Sequence, residues 1–330
     1  MTSLTASALI VPEHGDSGVL RVEEREVPDP GPGQARVTVA ASGVNFIDTY
    51  QRGGVYPVET PFVLGMEGAG TVESVGEGVT EVAPGDRVAW AMQLGSAASV
   101  ATVPAASLVP VPDGVELDVA AAAMLQAMTA HFLVNDTYPC TAETVALVHA
   151  AAGGVGQLLV QLLKAKGATV VATAGSEDKL AIARDRGVDH VINYREHDTV
   201  DSLASAVKEA AGRGVDVAYD GVGQATFDAS MASLRPRGLL VLFGAASGPV
   251  PPLDPQRLNQ GGSLYLTRPT LAHYIAGRDE LLARSGEVLA LIADGSLDIA
   301  IDSRHPLTDA RAAYDALEGR RTSGKVLLVP

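Results

Sequence analysis

Val145-Ala146-Leu147-Val148-His149-Ala150-Ala151-Ala152-Gly153-Gly154-Val155-Gly156-Gln157-Leu158-Leu159-Val160-Gln161 reads as an apolar strand that passes through a glycine-rich turn into a helix. Gly153 allows backbone to approach a pyrophosphate, Gly156 allows helix and strand to pack closely, and the start of the helix offers unsatisfied N–H groups to an anion. Ala151 stands where the usual pattern has its first glycine. Taken alone, the stretch therefore also describes a tight strand-to-helix turn in an α/β protein that binds no dinucleotide.

The surrounding sequence decides between these readings. Short apolar runs at 144–149, 169–173, 190–193, 215–220 and 238–243 alternate with helical segments. Such runs suit strands covered on both faces, so a doubly wound parallel sheet is expected. Upstream, the first third is rich in Gly, Pro and Val, with alternating runs such as Ala35-Arg36-Val37-Thr38-Val39-Ala40 and Gly70-Thr71-Val72-Glu73-Ser74-Val75 between turn clusters. That texture predicts a β-rich, barrel-like domain. It changes near Asp118, where Val119-Ala120-Ala121-Ala122-Ala123-Met124-Leu125 opens an Ala-rich helix, and the chain closes on a strand-like Lys325-Val326-Leu327-Leu328-Val329.

With 330 residues, 47% of them hydrophobic, the chain has material for two domains of ordinary size. Its one cysteine, Cys140, permits no internal disulfide and no cysteine-rich zinc module, which fits a reducing, cytoplasmic setting. A formal charge of −15 makes nucleic acid a poor partner. The start of the chain lacks a basic and apolar leader pattern, and the uncharged stretches at 88–112 and 119–135 do not read as membrane spans. The histidines are scattered without metal-ligand spacing.

Cofactor choice should be written about 20 residues beyond the glycine turn, where an NAD enzyme usually carries an acid for the ribose 2′-hydroxyl. The position falls on Ala174 or Gly175, followed by Ser176 and Lys179. A missing carboxylate, a hydroxyl donor and a counter-charge favour a 2′-phosphate and hence NADPH over NADH. Glu177 and Asp178 are then acids of a helix's first turn, complementing its dipole.

Gly43-Val44-Asn45-Phe46-Ile47-Asp48-Thr49-Tyr50, the 150–156 turn, Val191-Ile192-Asn193-Tyr194-Arg195 and Asn259-Gln260-Gly261-Gly262-Ser263-Leu264-Tyr265-Leu266-Thr267-Arg268-Pro269 together resemble the zinc-independent quinone oxidoreductases of the medium-chain dehydrogenase/reductase superfamily. The resemblance runs along almost the whole chain. It implies a GroES-like catalytic domain over 1–127 and 267–330, a Rossmann NADPH-binding domain over 128–266, and an active-site cleft between them. In the zinc alcohol dehydrogenases of the same fold, metal ligands stand where this chain has Asn45 and Met66, and a four-cysteine lobe corresponds to its cysteine-free stretch after Trp90. An amide and a thioether are a poor set for Zn²⁺, so no metal is expected.

By the same resemblance, Asn45 and Tyr50 are the polar groups at the catalytic site, with Phe46, Ile47 and Asp48 beside them on the cofactor. Gly153, Gly154, Val155 and Gly156 form the pyrophosphate loop. Gly175, Ser176, Lys179, Tyr194 and Arg320 surround the adenosine 2′-phosphate, and Gly221, Phe243, Ser247, Leu266, Thr267 and Arg268 lie toward the nicotinamide. Thr129 is carried over as a cofactor contact; where relatives place a tyrosine just after it, this chain has Phe132, or His131 in a shifted register. Glu67 is read as holding the active-site loop by hydrogen bonds.

Each of these residues has a plainer reading. Asn45 suits a backbone turn, Tyr50 and Tyr194 suit packing, and Lys179 and Arg320 suit solvated surface. The function implied is hydride transfer from NADPH to a quinone or similar conjugated acceptor, in a homodimer joined partly through 263–268. An enoyl or alkenal double-bond reductase uses the same fold and cofactor, and a non-catalytic NADPH-binding regulator is the rival from another class.

Overall fold

The computed structural model describes residues 4–330, and the chain divides into two units: Thr129–His273, and the remainder up to Met128 together with Tyr274–Pro330. In the contiguous unit, six strands lie parallel in the order His190–Asn193, Thr169–Ala174, Val145–His149, Val215–Asp220, Leu234–Leu242, Tyr265–Thr267. Every residue of Val145–His149 and Val215–Asp220 is buried, as central strands covered on both faces require. Leu147, Val171, Val207, Val215, Phe227 and Leu240 share one core, each contributing on the order of 1.5–3 kcal/mol of burial. The sheet grows outward from Val145–His149 to His190–Asn193. It then resumes on the other side with Val215–Asp220, and at that reversal the strand ends leave a crevice.

The strand expected at 238–243 begins earlier, at Leu234. Val215 pairs with Leu234 while Val217 pairs with Leu239, so the register jumps across Arg235-Pro236-Arg237-Gly238. Pro236 cannot donate to the ladder and Arg237 takes φ 61°, features of a bulge that an apolar pattern does not reveal.

The second unit carries a seven-stranded sheet ordered Ile301–Pro306, Lys325–Val329, Gln34–Val44, Glu67–Val75, Arg87–Ala91, Val109–Pro110, with Val100–Pro104 also on Gln34–Val44. A smaller sheet joins Arg21–Val27, Leu4–Val11 and Phe62–Val63. The strand Lys325–Val329 lies antiparallel to Gln34–Val44, with Val326 opposite Val44 and Leu327 opposite Gly43. That register carries Lys325 to the edge of the helix that follows Asn45, Phe46–Arg52.

The Ala-rich helix spans Leu117–Phe132 and continues as a π-helical turn, Leu133–Thr137. By length and apolarity it passes for a membrane span, yet most of it is buried inside the fold, as in a core helix. The chain leaves the contiguous unit at His273, beyond the 266 expected from sequence. The edge strand Tyr265–Thr267 belongs to the parallel sheet, and the 271–274 turn follows it.

Candidate active site

In the contiguous unit the glycine turn sits at the end of Val145–His149. Ala150 takes φ 52°, the Gly153 N–H donates to Ala150 O at 2.8 Å, and the helix Gly154–Ala165 starts there. A Cβ on Gly156 would lie 2.3 Å from Ala150 O and 2.8 Å from Ala151 Cα, so only glycine allows this helix to rest on the loop. His149 is buried, its Nδ1 2.7 Å from Thr173 Oγ1; burial pulls the imidazole below its ordinary pKa, against the charge of Asp220. Asp220 accepts from the N–H groups of Val222 and Gly223 at 2.9 Å, and from the Thr226 and Ser230 hydroxyls, which orders the loop after its strand.

Two pairs of sequence-predicted residues meet. Gly175 lies under Tyr194, whose hydroxyl would be 2.4 Å from a Cβ there, and Gly221 lies under the Phe243 ring, 2.8 Å from a Cβ. Ser176 stands at the N-terminal boundary of the helix Glu177–Asp185 without a side-chain capping bond, and half-buried Lys179 is in its first turn. Glu177 is paired with Arg184 along the same helix. The Ser247 hydroxyl donates to Val222 O at 2.7 Å and accepts from the Ala225 N–H at 2.9 Å, joining the loops after two adjacent strands. Half-buried Leu266 and Thr267 lie on the edge strand, and exposed Arg268 donates to Leu242 O at 3.1 Å. Thr129 and Phe132 are buried in the long helix. Arg320 belongs to the other unit, exposed beyond the helix Ala310–Glu318 with φ 55°.

In that other unit the signature at 43–50 is built around buried polar groups. Asn45 precedes the helix Phe46–Arg52, and its backbone N–H donates to Asp48 Oδ2 at 2.8 Å. Its side-chain Nδ2 donates to Glu67 Oε1 at 2.7 Å and to Gly43 O at 3.3 Å, while its Oδ1 accepts from Lys325 Nζ at 2.8 Å. Lys325 is also ion-paired with Glu67, and Glu67 Oε2 accepts the Leu125 N–H at 2.6 Å. Asp48 accepts from the Tyr314 hydroxyl at 3.1 Å. Its side chain is fully buried, so it is turned into the fold, whereas Phe46, Ile47 and Tyr50 are half-buried. The Tyr50 ring packs edge-on against Tyr56, 5.4 Å between centroids, and more loosely on Phe46.

Burial pushes the Asp48 carboxyl up to about 7, although the Asn45 N–H, the Lys325 charge and the Tyr314 hydroxyl oppose it. Burial pulls the Lys325 ammonium down to about 7, against the charge of Asp48. Lys325 heads an apolar strand run, a setting that reads in the sequence as packing alone. The signal available was a lysine opening a run too apolar to leave it in water, but its partners lie 258 and 280 residues away.

Residues 45 and 66 do not fit Zn²⁺: Asn45 is held by Lys325 and Glu67, and Met66 Sδ accepts from Gln51 Nε2 at 3.2 Å. Among the described residues no three His, Cys, Asp or Glu side chains gather as a metal site.

A nucleotide-type loop at the switch point of a parallel sheet, carried in one chain with a β-rich unit, marks a two-unit dehydrogenase or reductase. Models of the alcohol dehydrogenase GroES-like domain and of the zinc-binding dehydrogenases match residues 31–113 and 154–294. The chain is 44% identical to a quinone oxidoreductase of Salmonella typhimurium, covering 96% of this chain and 98% of that one. It is 40% identical to a 2-haloacrylate reductase of a Burkholderia species, covering 93% and 94%. The solved structure of Escherichia coli quinone oxidoreductase complexed with NADPH superposes with a TM-score of 0.95 at 40% identity, covering 98% of this chain and all of that one. The chain belongs to the quinone oxidoreductase family of the medium-chain dehydrogenase/reductase superfamily.

Proposed function

We propose that the protein is an NADPH-dependent quinone oxidoreductase that works without zinc. The observation that carries this reading is the near full-length similarity to quinone oxidoreductases, one of them solved with NADPH. The chain's own residues fit the cofactor. The loop 150–156 closes under its helix with no room for a Cβ at Gly156, Gly175 lies under Tyr194, and Ser176 and Lys179 follow Thr169–Ala174, where the positions read for the ribose 2′-hydroxyl, Ala174 and Gly175, carry no carboxylate. Ser176 and Lys179 then favour a 2′-phosphate.

When bound, NADPH supplies the hydride. Gly153, Gly154, Val155 and Gly156 hold the pyrophosphate with backbone N–H groups. Gly221, Phe243, Ser247, Leu266, Thr267 and Arg268 shape the nicotinamide end, and Thr129 and Phe132 support it from the long helix. Tyr50 donates its hydroxyl to the oxygen on which charge develops, and Phe46, Ile47 and the backbone at Asp48 line the cofactor face. A conjugated acceptor spreads that charge, so positioned donors suffice in place of a Lewis acid. Lys325 Nζ and Glu67 already engage the Asn45 amide, which leaves that side chain poorly placed to bind a metal cation.

Two copies associate through the outer edge of Tyr265–Thr267, the last strand of its sheet, where Tyr265 is 60% exposed. The cytoplasm is the proposed setting, in keeping with a buried free Cys140. A second reading, reduction of an activated alkene, is favoured by the similarity to 2-haloacrylate reductase.

Stopped-flow oxidation of NADPH and NADH with a quinone and an alkenal, on the wild type and on Lys179→Ala, tests the proposal. Fast NADPH-selective oxidation by quinone is expected, with selectivity falling about tenfold in the variant as one charge-assisted contact is lost. Oxidation by the alkenal alone would select the second reading. Binding of NADPH without turnover on either acceptor would overturn both.

A further inference from the structure

Asn45 has a definite hydrogen-bonding capacity: two N–H donors on Nδ2 and two lone pairs on Oδ1. Both donors already have partners, Glu67 Oε1 at 2.7 Å and Gly43 O at 3.3 Å. One lone pair of Oδ1 takes the Lys325 Nζ at 2.8 Å. The orientation of the amide is fixed by chemistry rather than by shape, since a carboxylate only accepts and the lysine Nζ donates. Were the amide turned over, its NH₂ would face the lysine and its oxygen the carboxylate. The pair is fixed in turn: Glu67 Oε2 holds the Leu125 N–H at 2.6 Å, and Lys325 is clamped in register by Val326 opposite Val44. A Cβ on Gly43 would lie 2.2 Å from Glu67 Oε1 and 2.6 Å from Lys325 Cε, so the glycine leaves the space in which the pair sits.

We infer that Lys325 and Glu67 are positioning residues that hold Asn45 as a hydrogen-bond acceptor, so that the group it takes from a ligand is an N–H or O–H donor and not a carbonyl oxygen. This rests on the proposed function only for the identity of the ligands. In a reaction between a nicotinamide cofactor and a quinone, two donors qualify: the carboxamide N–H of the cofactor and a hydroxyl of the hydroquinone product. The quinone carbonyl, which only accepts, does not. Asn45 is thereby assigned to recognition, and stabilisation of the developing oxyanion falls to another donor.

The experiment measures dissociation constants, by fluorescence titration, of NADPH and of its acetylpyridine analogue, whose methyl ketone lacks the N–H. A second pair of titrations compares a hydroquinone with the matching quinone on the NADP⁺-loaded protein. Wild type is compared with the double variant Lys325→Met/Glu67→Gln, which removes both charges of the pair together. In this variant the amide of Asn45 is free to turn and donate. Thermal unfolding within a few degrees of wild type is expected to show that it folds.

Wild type is expected to prefer the N–H or O–H member of at least one pair by about tenfold, and the double variant to lose that preference. Preference within the nicotinamide pair identifies the cofactor as the source, and within the quinone pair the hydroquinone. Equal binding of both members of both pairs by wild type, or a preference unchanged in a folded double variant, would overturn the inference. Failure of wild type to oxidise NADPH with any quinone would sink the proposed function and leave the binding comparison intact. Should the double variant fail to fold, Lys325→Gln/Glu67→Gln serves: both partners of the Asn45 amide are then neutral groups able to donate and to accept, so neither fixes its orientation, and the same loss of preference is expected.

Discussion

Replacing Gly156 by alanine sets two effects against each other. In an exposed helix, glycine to alanine gains about 1 kcal/mol from propensity. Here the added Cβ would lie 2.3 Å from Ala150 O, 2.8 Å from Ala151 Cα and 3.0 Å from Ala150 C, all of them backbone. Ordinary contact begins near 3.4 Å, so the loop must lift by 3.4 − 2.3, about 1 Å. Overpacking of that kind costs on the order of 1–3 kcal/mol, more than the propensity gain. The lifted loop is also the one proposed to face the pyrophosphate, and a displacement of about 1 Å can cost on the order of 10²-fold in activity. Thermal unfolding is therefore expected to fall by a few degrees and NADPH to bind at least tenfold more weakly, read by differential scanning fluorimetry and fluorescence titration. Gly286, exposed in the helix Arg278–Ala293 with nothing within 4 Å of an added Cβ, is the control: Gly286→Ala is expected to stabilise by about 1 kcal/mol and leave binding unchanged. A Gly156→Ala protein with wild-type unfolding temperature and wild-type affinity would refute the reasoning.

At Gly175 the obstacle is the end of the Tyr194 ring, which is half-buried and able to swing, so Gly175→Ala is expected to cost less than about 1 kcal/mol in a thermal scan while lowering NADPH affinity through the displaced tyrosine. Burial alone would raise the pKa of the Asp216 carboxyl, but its bonds to Arg213, Arg235 and the Val145 N–H hold it below the ordinary carboxylate value. A group depressed in the folded state contributes stability above its unfolded pKa and loses it on acidification, so stability to urea should fall below about pH 4 in wild type, and less steeply in Asp216→Asn. Asp48 has the opposite sign. Raised by burial to about 7, it binds more protons folded than unfolded, and wild-type stability should fall relative to Asp48→Asn as pH rises from the ordinary carboxylate range to about 7, followed by thermal scans across that range.

Much of the contiguous unit is visible in the sequence because strands buried on both faces must be mostly apolar: Val145–His149 consists of little else, and Val215–Asp220 adds only Asp216 and Asp220, each held by its own hydrogen bonds. The bulge that starts the fifth strand at Leu234 was hidden, since Arg235-Pro236-Arg237 carries a loop's composition. At the site, the nearness of Gly175 and Tyr194 follows from neighbouring parallel strands, whose ends register when Ala174 pairs with Asn193. Lys325 leaves only the mark of a lysine at the head of an apolar run, and neither its pairing with Glu67 nor the inward turn of Asp48 has a local signature. The groups that decide them come from strands and helices far apart in the chain, and residue spacing does not encode a contact made across a sheet.

The insertion of Lys325–Val329 against Gln34–Val44 sets an order of assembly during synthesis. Residues 129–273 form their unit from one continuous stretch, and that unit can fold as soon as its last strand has emerged. The other unit has Asn45 and Glu67 early but lacks the lysine that neutralises the carboxylate until 258 residues after Glu67, an interval of roughly 13–52 s at about 5–20 residues per second. For that interval its largest sheet is without the strand that completes it beside Gln34–Val44, leaving an open edge of the kind that recruits foreign strands. The first part of the protein to be made is thus the last to be finished, and its exposure to chaperones and to misassembly is set by the length of chain translated in between.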